Sequence, residues 1–113
     1  MEKDFEIISF QMLKDISDNH RRAGVVYYTD EFIIERLRSL ALFFERNGLA
    51  TRNLVNADGE ISRDFTLRSI DLTELGMKVL RKGYNGWITN ALKRPPNDVS
   101  AMTRAMKKLG AGA

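Results

Sequence analysis

The sequence predicts an α+β domain, with helices packed on a small antiparallel β-hairpin sheet and a C-terminal amphipathic helix, and three observations carry that prediction. Asn47-Gly48-Leu49 closes a strongly periodic apolar pattern, as expected where a glycine supplies the left-handed residue after a helix. Two β-prone runs, 50–55 and 61–72, flank Asn56-Ala57-Asp58-Gly59-Glu60, whose Asp-Gly pair favours a tight reversal. Helical spacing resumes at Leu72-Thr73-Glu74-Leu75-Gly76. The order is helix, hairpin, helix.

A chain of 113 residues is long enough for one compact core. Its 43% hydrophobic and 29% charged residues place it among soluble globular proteins rather than disordered or membrane chains. Cysteine is absent, which excludes a disulfide framework, a thiolate metal site and a thiol nucleophile. No apolar run approaches the roughly 20 residues of a membrane span, and Met1-Glu2-Lys3-Asp4 does not read as a basic secretory leader. A cytoplasmic location is expected.

Charge is unevenly placed. Residues 1–19 carry −3, residues 20–60 balance, residues 61–94 carry +4 and residues 95–113 carry +2. A basic half is the electrostatic footprint of phosphate binding, although an uneven solvated surface gives the same count.

Taken in order, Phe5, Ile8, Met12 and Ile16, widened by Ile7 and Leu13, fall at helical spacing and predict one helix over 4–22, capped by Asp4. His20, Arg21 and Arg22 suit its carboxyl end. Val25 to Tyr28 is a short β-prone run assigned to the sheet edge. Thr29 or Asp30 caps the next helix, whose stripe of Ile33, Leu37, Leu40, Ala41 and Phe44 runs to Arg46. In the hairpin, Ile61, Phe65 and Leu67 share one parity while Ile70 and Leu72 share the other. Both sets can face inward only with a break near Arg68-Ser69. The last long helix is capped by Asp71 or Thr73, and its Gly76 and Gly83 call for close backbone packing or a kink near Gly83-Gly86. Pro95-Pro96 ends it. Residues 1–94 then form the main domain and 95–113 a helical extension with a frayed tail, in which Val99, Met102, Ala105, Met106 and Leu109 lie opposite Arg104, Lys107 and Lys108.

Catalysis has little to work with. His20 is the single histidine, so histidine-based metal clusters and triads are missing. Asp30, Glu31 and Glu35 read as partners of a helix dipole rather than as a catalytic carboxylate cluster, and no phosphate-cradling glycine motif occurs. The expectation is a protein that is not an enzyme, with no cofactor, no metal and no small-molecule ligand.

Over residues 29–92, the "NGL" helix exit at Asn47-Gly48-Leu49 and the "LTELG" helix start at Leu72 to Gly76 resemble the winged-helix superfamily. The chain is similar to small phage- and mobile-element-associated winged-helix proteins of unsettled role. The resemblance implies that the helix from Asp30 to Arg46 takes the recognition position in the major groove and that the hairpin is a wing touching the backbone. Mapped onto this chain, it assigns Arg36, Arg38 and Ser39 to DNA contact from the helix and Arg52, Arg63 and Arg68 to contact from the wing. The function it implies is double-stranded DNA binding and transcriptional regulation, docked by the basic second half and read by Arg36 and Arg38. The domain is expected to be a homodimer through its first and last helices, and the rival function is a non-catalytic protein-interaction module on the same scaffold, with Tyr84, Trp87, Ile88, Met102, Met106 and Leu109 as interface candidates. For Trp87 at helical spacing, a core position is the ordinary alternative.

Overall fold

The computed structural model describes residues 5–22, 29–89 and 95–110, with the backbone alone for 19–22. Among these residues the fold is α+β: four α-helices and a two-stranded antiparallel sheet. The expected sheet-edge strand at Val25 to Tyr28 lies outside the described residues.

The chain opens with strand β1, Glu6–Ser9, and only then enters helix α1, Phe10–Arg22. This corrects the single helix expected over 4–22. Ser9, not Asp4, stands at the helix start, its Oγ accepting from the Met12 amide at 3.1 Å. Glu6 to Ser9 is held extended by pairing with strand β2, Thr66–Arg68, in the register Glu6 to Arg68, Ile8 to Leu67 and Ser9 to Thr66. The extra residue, Ile7, bulges between the first two pairs and lets Ile8 and Leu67 both turn into the core.

Helix α2, Asp30–Arg46, forms the centre. Thr29 caps it by accepting from the Phe32 amide at 3.2 Å. At its end Gly48 takes a φ of +67°, the Gly48 amide reaches the Glu45 carbonyl and the Leu49 amide the Phe44 carbonyl, the two bonds of a Schellman stop. Ile33, Leu37, Leu40, Ala41 and Phe44 are buried along one face.

The segment from 50 to 65 departs from the expected hairpin. Its root is closed by a single bridge between Ala50 and Leu72 and by the Thr51 amide on the Asp71 carbonyl. Its tip turns as anticipated: Gly59 has a φ of +76°, the Asn56 amide donates to the Glu60 carbonyl, and Asn56 Oδ1 accepts from the amides of Asp58 and Glu60. Between root and tip no strand pairing forms, because Ser62 to Phe65 makes a turn of its own, with the Phe65 amide on the Ser62 carbonyl. The sheet therefore joins β2 to β1 and is not a hairpin. The break after Arg68 is present as a 3₁₀ turn, Ser69–Asp71.

Helix α3, Glu74–Thr89, is capped by Thr73, which accepts from the Gly76 amide at 2.9 Å. It passes through Gly83 and Gly86 without interruption. A Cβ at Gly76 would lie 2.3 Å from the Leu49 carbonyl oxygen, and one at Gly83 would lie 2.7 Å from Met102 Sδ, so both glycines serve close approach. Helix α4, Ser100–Lys108, follows a turn in which Asp98 Oδ1 accepts from the Ser100 amide. It buries Ala101, Met102 and Ala105 in the same core as Trp87 and Leu80.

Candidate nucleic-acid interface

The residues expected to meet DNA are largely engaged within the chain. Arg36 sits on the buried face of α2, at three and four residues from Ile33 and Leu40, and is only 2% exposed. Its guanidinium lies over the Trp87 ring, 4.4 Å from the centroid, and donates to the Trp87 carbonyl at 2.8 Å. A cation held under a helix cannot reach a phosphate or a base. Arg36 is therefore withdrawn from the DNA-contact set.

Arg38 projects from the same helix towards the tip of the 50–65 segment. Its Nε donates to the Gly59 carbonyl at 2.6 Å, and the guanidinium pairs with Glu35 at 3.3 Å and Glu60 at 3.9 Å. Ser39 donates its hydroxyl to Glu35 Oε2 at 3.2 Å. Arg52 grips the buried Asp71 with both arms, Nε to Oδ1 at 2.7 Å and a terminal nitrogen to Oδ2 at 3.2 Å. That carboxylate holds the Arg52 guanidinium above its ordinary range. Asp71 Oδ2 also accepts the Arg68 amide at 2.9 Å, so of the two caps expected for α3 it is Thr73 that caps, while Asp71 ties the 3₁₀ turn to the loop. Arg63 reaches Asp30 at 3.3 Å, joining the Lys14 to Asp30 pair at 2.9 Å. Hydrogen bonding to Lys14 holds the Asp30 carboxyl below the ordinary carboxylate range, and the same bond raises the Lys14 ammonium. Arg68 has an exposed side chain at the end of β2.

The interface candidates divide. Trp87 and Met102 are buried in the chain's own core, which removes them as contacts for a second copy. Tyr84, Ile88 and Met106 are half-buried against that core, and Leu109 is exposed. The apolar face of α4 is used against α3.

Sequence reasoning gave docking to the basic second half but named none of its cations beyond Arg63 and Arg68 as contacts. After Glu74 the chain carries eight Lys and Arg residues against one acid, Asp98. Six of the eight lie in described helices and are exposed: Lys78, Arg81 and Lys82 on α3, and Arg104, Lys107 and Lys108 on α4. Among the described residues no carboxylate pairs with any of the six, in contrast to Arg38, Arg52 and Arg63. On α3 these cations fall opposite Gly76, Val79, Leu80 and Gly83, the buried face. On α4 they fall opposite Met102. The signal was available as the local charge count, once taken from Glu74 onward rather than over 61–94 and 95–113.

No group of three His, Cys, Asp or Glu side chains able to hold a metal occurs among the described residues, and no described helix is long and apolar enough to cross a membrane. No protein-family model, curated protein or solved structure matches the chain, so the likeness at Asn47 to Leu80 rests on those residues alone.

Proposed function

We propose that the protein is a DNA-binding domain of winged-helix type that acts in transcriptional regulation, docking through phosphate contacts made by α3 and α4. The observation that carries the reading is the six exposed cations on these two helices without a described acidic partner. Uncompensated lysines and arginines keep their charge free for phosphate, whereas an arginine already held by a carboxylate must first give up that partner. The winged-helix assignment rests on the exit of α2 at Gly48, the reversal at Asn56 to Glu60 and the start of α3 at Thr73. Arg68 is the contact offered by β2, whereas Arg38 on α2 joins it only by releasing Glu35, Glu60 and the Gly59 carbonyl. A titration of fluorescently labelled random-sequence duplex at low and near-physiological salt tests the reading. Affinity should fall by about 10³ or more between about 50 and 200 mM salt if six or more phosphates are contacted. Absence of binding at the lowest salt ends it.

A second reading, self-association into a homodimer, is favoured by a separate observation. Phe5 and Ile70 are 49% and 60% exposed, and Phe5 borders an open, mainly apolar groove of 280 Å³ with Ile7, Met77, Leu80 and Tyr84. A sedimentation-equilibrium mass equal to that of one chain at millimolar concentration excludes it.

A further inference from the structure

Between α3 and α4 runs a cleft of 120 Å³ whose walls bring together Lys82, Arg104 and Lys108. Its floor is made of residues without bulk: Gly83, Gly86, Ala101 and Ala105. A Cβ on Gly86 would sit 3.2 Å from the Ala101 Cβ, and one on Gly83 would sit 3.1 Å from the Ala101 carbonyl oxygen. The helices are thus as close as their backbones allow, and this proximity brings cations from two helices to one opening. No acid lines it. Three like charges around one small cleft repel one another, an arrangement that an anion relieves.

We propose that this cleft seats one phosphate group, a phosphodiester of the nucleic-acid backbone, and so fixes the register of the domain on its ligand. The proposal rests on the DNA-binding reading for the source of the phosphate and on the cleft alone for the seat. Lys82, Arg104 and Lys108 converge on one anion, while Lys78, Arg81 and Lys107 supply only the surrounding field.

The test compares two triple variants that remove equal charge. Lys82→Gln, Arg104→Gln, Lys108→Gln empties the cleft, and Lys78→Gln, Arg81→Gln, Lys107→Gln spares it. With a 20-base-pair duplex at low salt, the first should bind about ten-fold or more weaker than the second. Gly86→Ala, which narrows the cleft and leaves every charge in place, should weaken binding as well, with Trp87 fluorescence reporting that the fold is intact. Equal loss in the two triples overturns the seat and leaves DNA binding standing as a diffuse field. Titration of the wild type with inorganic pyrophosphate, followed through the Gly86 backbone-amide NMR signal, decides the seat independently of DNA. A saturable shift that is absent from the first triple supports it even where duplex fails to bind, and no shift up to tens of millimolar overturns it. Tighter binding to phosphatidylserine vesicles than to duplex overturns the nucleic-acid source.

Discussion

Arg36 lies across the face of Trp87 and donates a 2.8 Å hydrogen bond to the carbonyl of the same residue. One side chain thereby fixes both the indole and the backbone near the end of α3 to the middle of α2. The guanidinium plane suits both contacts at once, and an ammonium does not. Arg36→Ala should cost about 2–3 kcal/mol, combining a desolvated cation–π contact with a charge-assisted hydrogen bond, and Arg36→Lys should recover little of it. Trp87 is the single tryptophan, so urea unfolding followed by its fluorescence reads this contact directly. Stability equal to wild type in the alanine variant would remove the proposed lock.

Gly76 meets the chain where α2 hands over to the loop. Alanine normally favours a helix interior by about 1 kcal/mol over glycine, but here its Cβ would collide with the Leu49 carbonyl oxygen, which also accepts the Thr73 amide. Backbone on both sides leaves no cheap relaxation. Gly76→Ala should therefore destabilise by about 2 kcal/mol or more, seen as a lower midpoint in thermal unfolding. A higher midpoint would show that the Leu49 segment gives way freely.

Asp71 is buried while its partner Arg52 is 54% exposed. The carboxylate depends on Arg52 and the Arg68 amide for its solvation, so the two positions are unequal. Asp71→Ala should cost about 2–3 kcal/mol. Arg52→Ala leaves a buried carboxylate short of donors and should cost a similar amount, despite lying on the surface. A double variant less destabilised than the sum of the two identifies the coupling.

The Lys14, Asp30 and Arg63 cluster gives a pH dependence with a definite sign. The Asp30 carboxyl titrates below its ordinary range in the folded chain, so its contribution is present at neutral pH and is lost as acid takes the pH down through the folded value. Lys14 is raised, so its share is present below the ordinary lysine range and is lost only in strong alkali. Asp30→Asn should lower the melting temperature slightly at pH 7, where the pair is partly screened by solvent. The two melting curves should converge as acid takes the pH below the ordinary carboxylate range and through the lowered Asp30 value. A constant gap across that range would assign the loss to capping or packing instead.

What could be read from the sequence follows the range of the interactions involved. Thr29, Gly48, Thr73 and the Asn56 to Glu60 turn act within a few residues of themselves, and each does in the structure what its type favours. Strand β1 was hidden because Phe5, Ile8, Met12 and Ile16 also fit a helix, and the partner that holds Ile8 extended, Leu67, lies far along the chain. Ser9 carried a local clue, a capping hydroxyl immediately before a helical run. Arg36 carried another: it lies between Ile33 and Leu40 at helical spacing, so geometry placed a charge on the buried face although its type argued for the surface. The surface cations of α3 and α4 were countable, but their convergence on one cleft depends on how closely two helices cross at Gly83 and Gly86. That distance is set by tertiary packing.

The pairing of β1 with β2 also orders events in time. The Phe5 amide waits for the Ser69 hydroxyl, 64 positions later, so a chain leaving the ribosome can close α2, with its own cap and stop, well before β1 meets the β2 residues it pairs with. During that interval Ile7 and Ile8 sit on an open edge, the form of backbone most prone to pair with the wrong neighbour. Synthesis halted before Thr66 would leave that edge open for good, and such fragments should be the aggregating species of this protein.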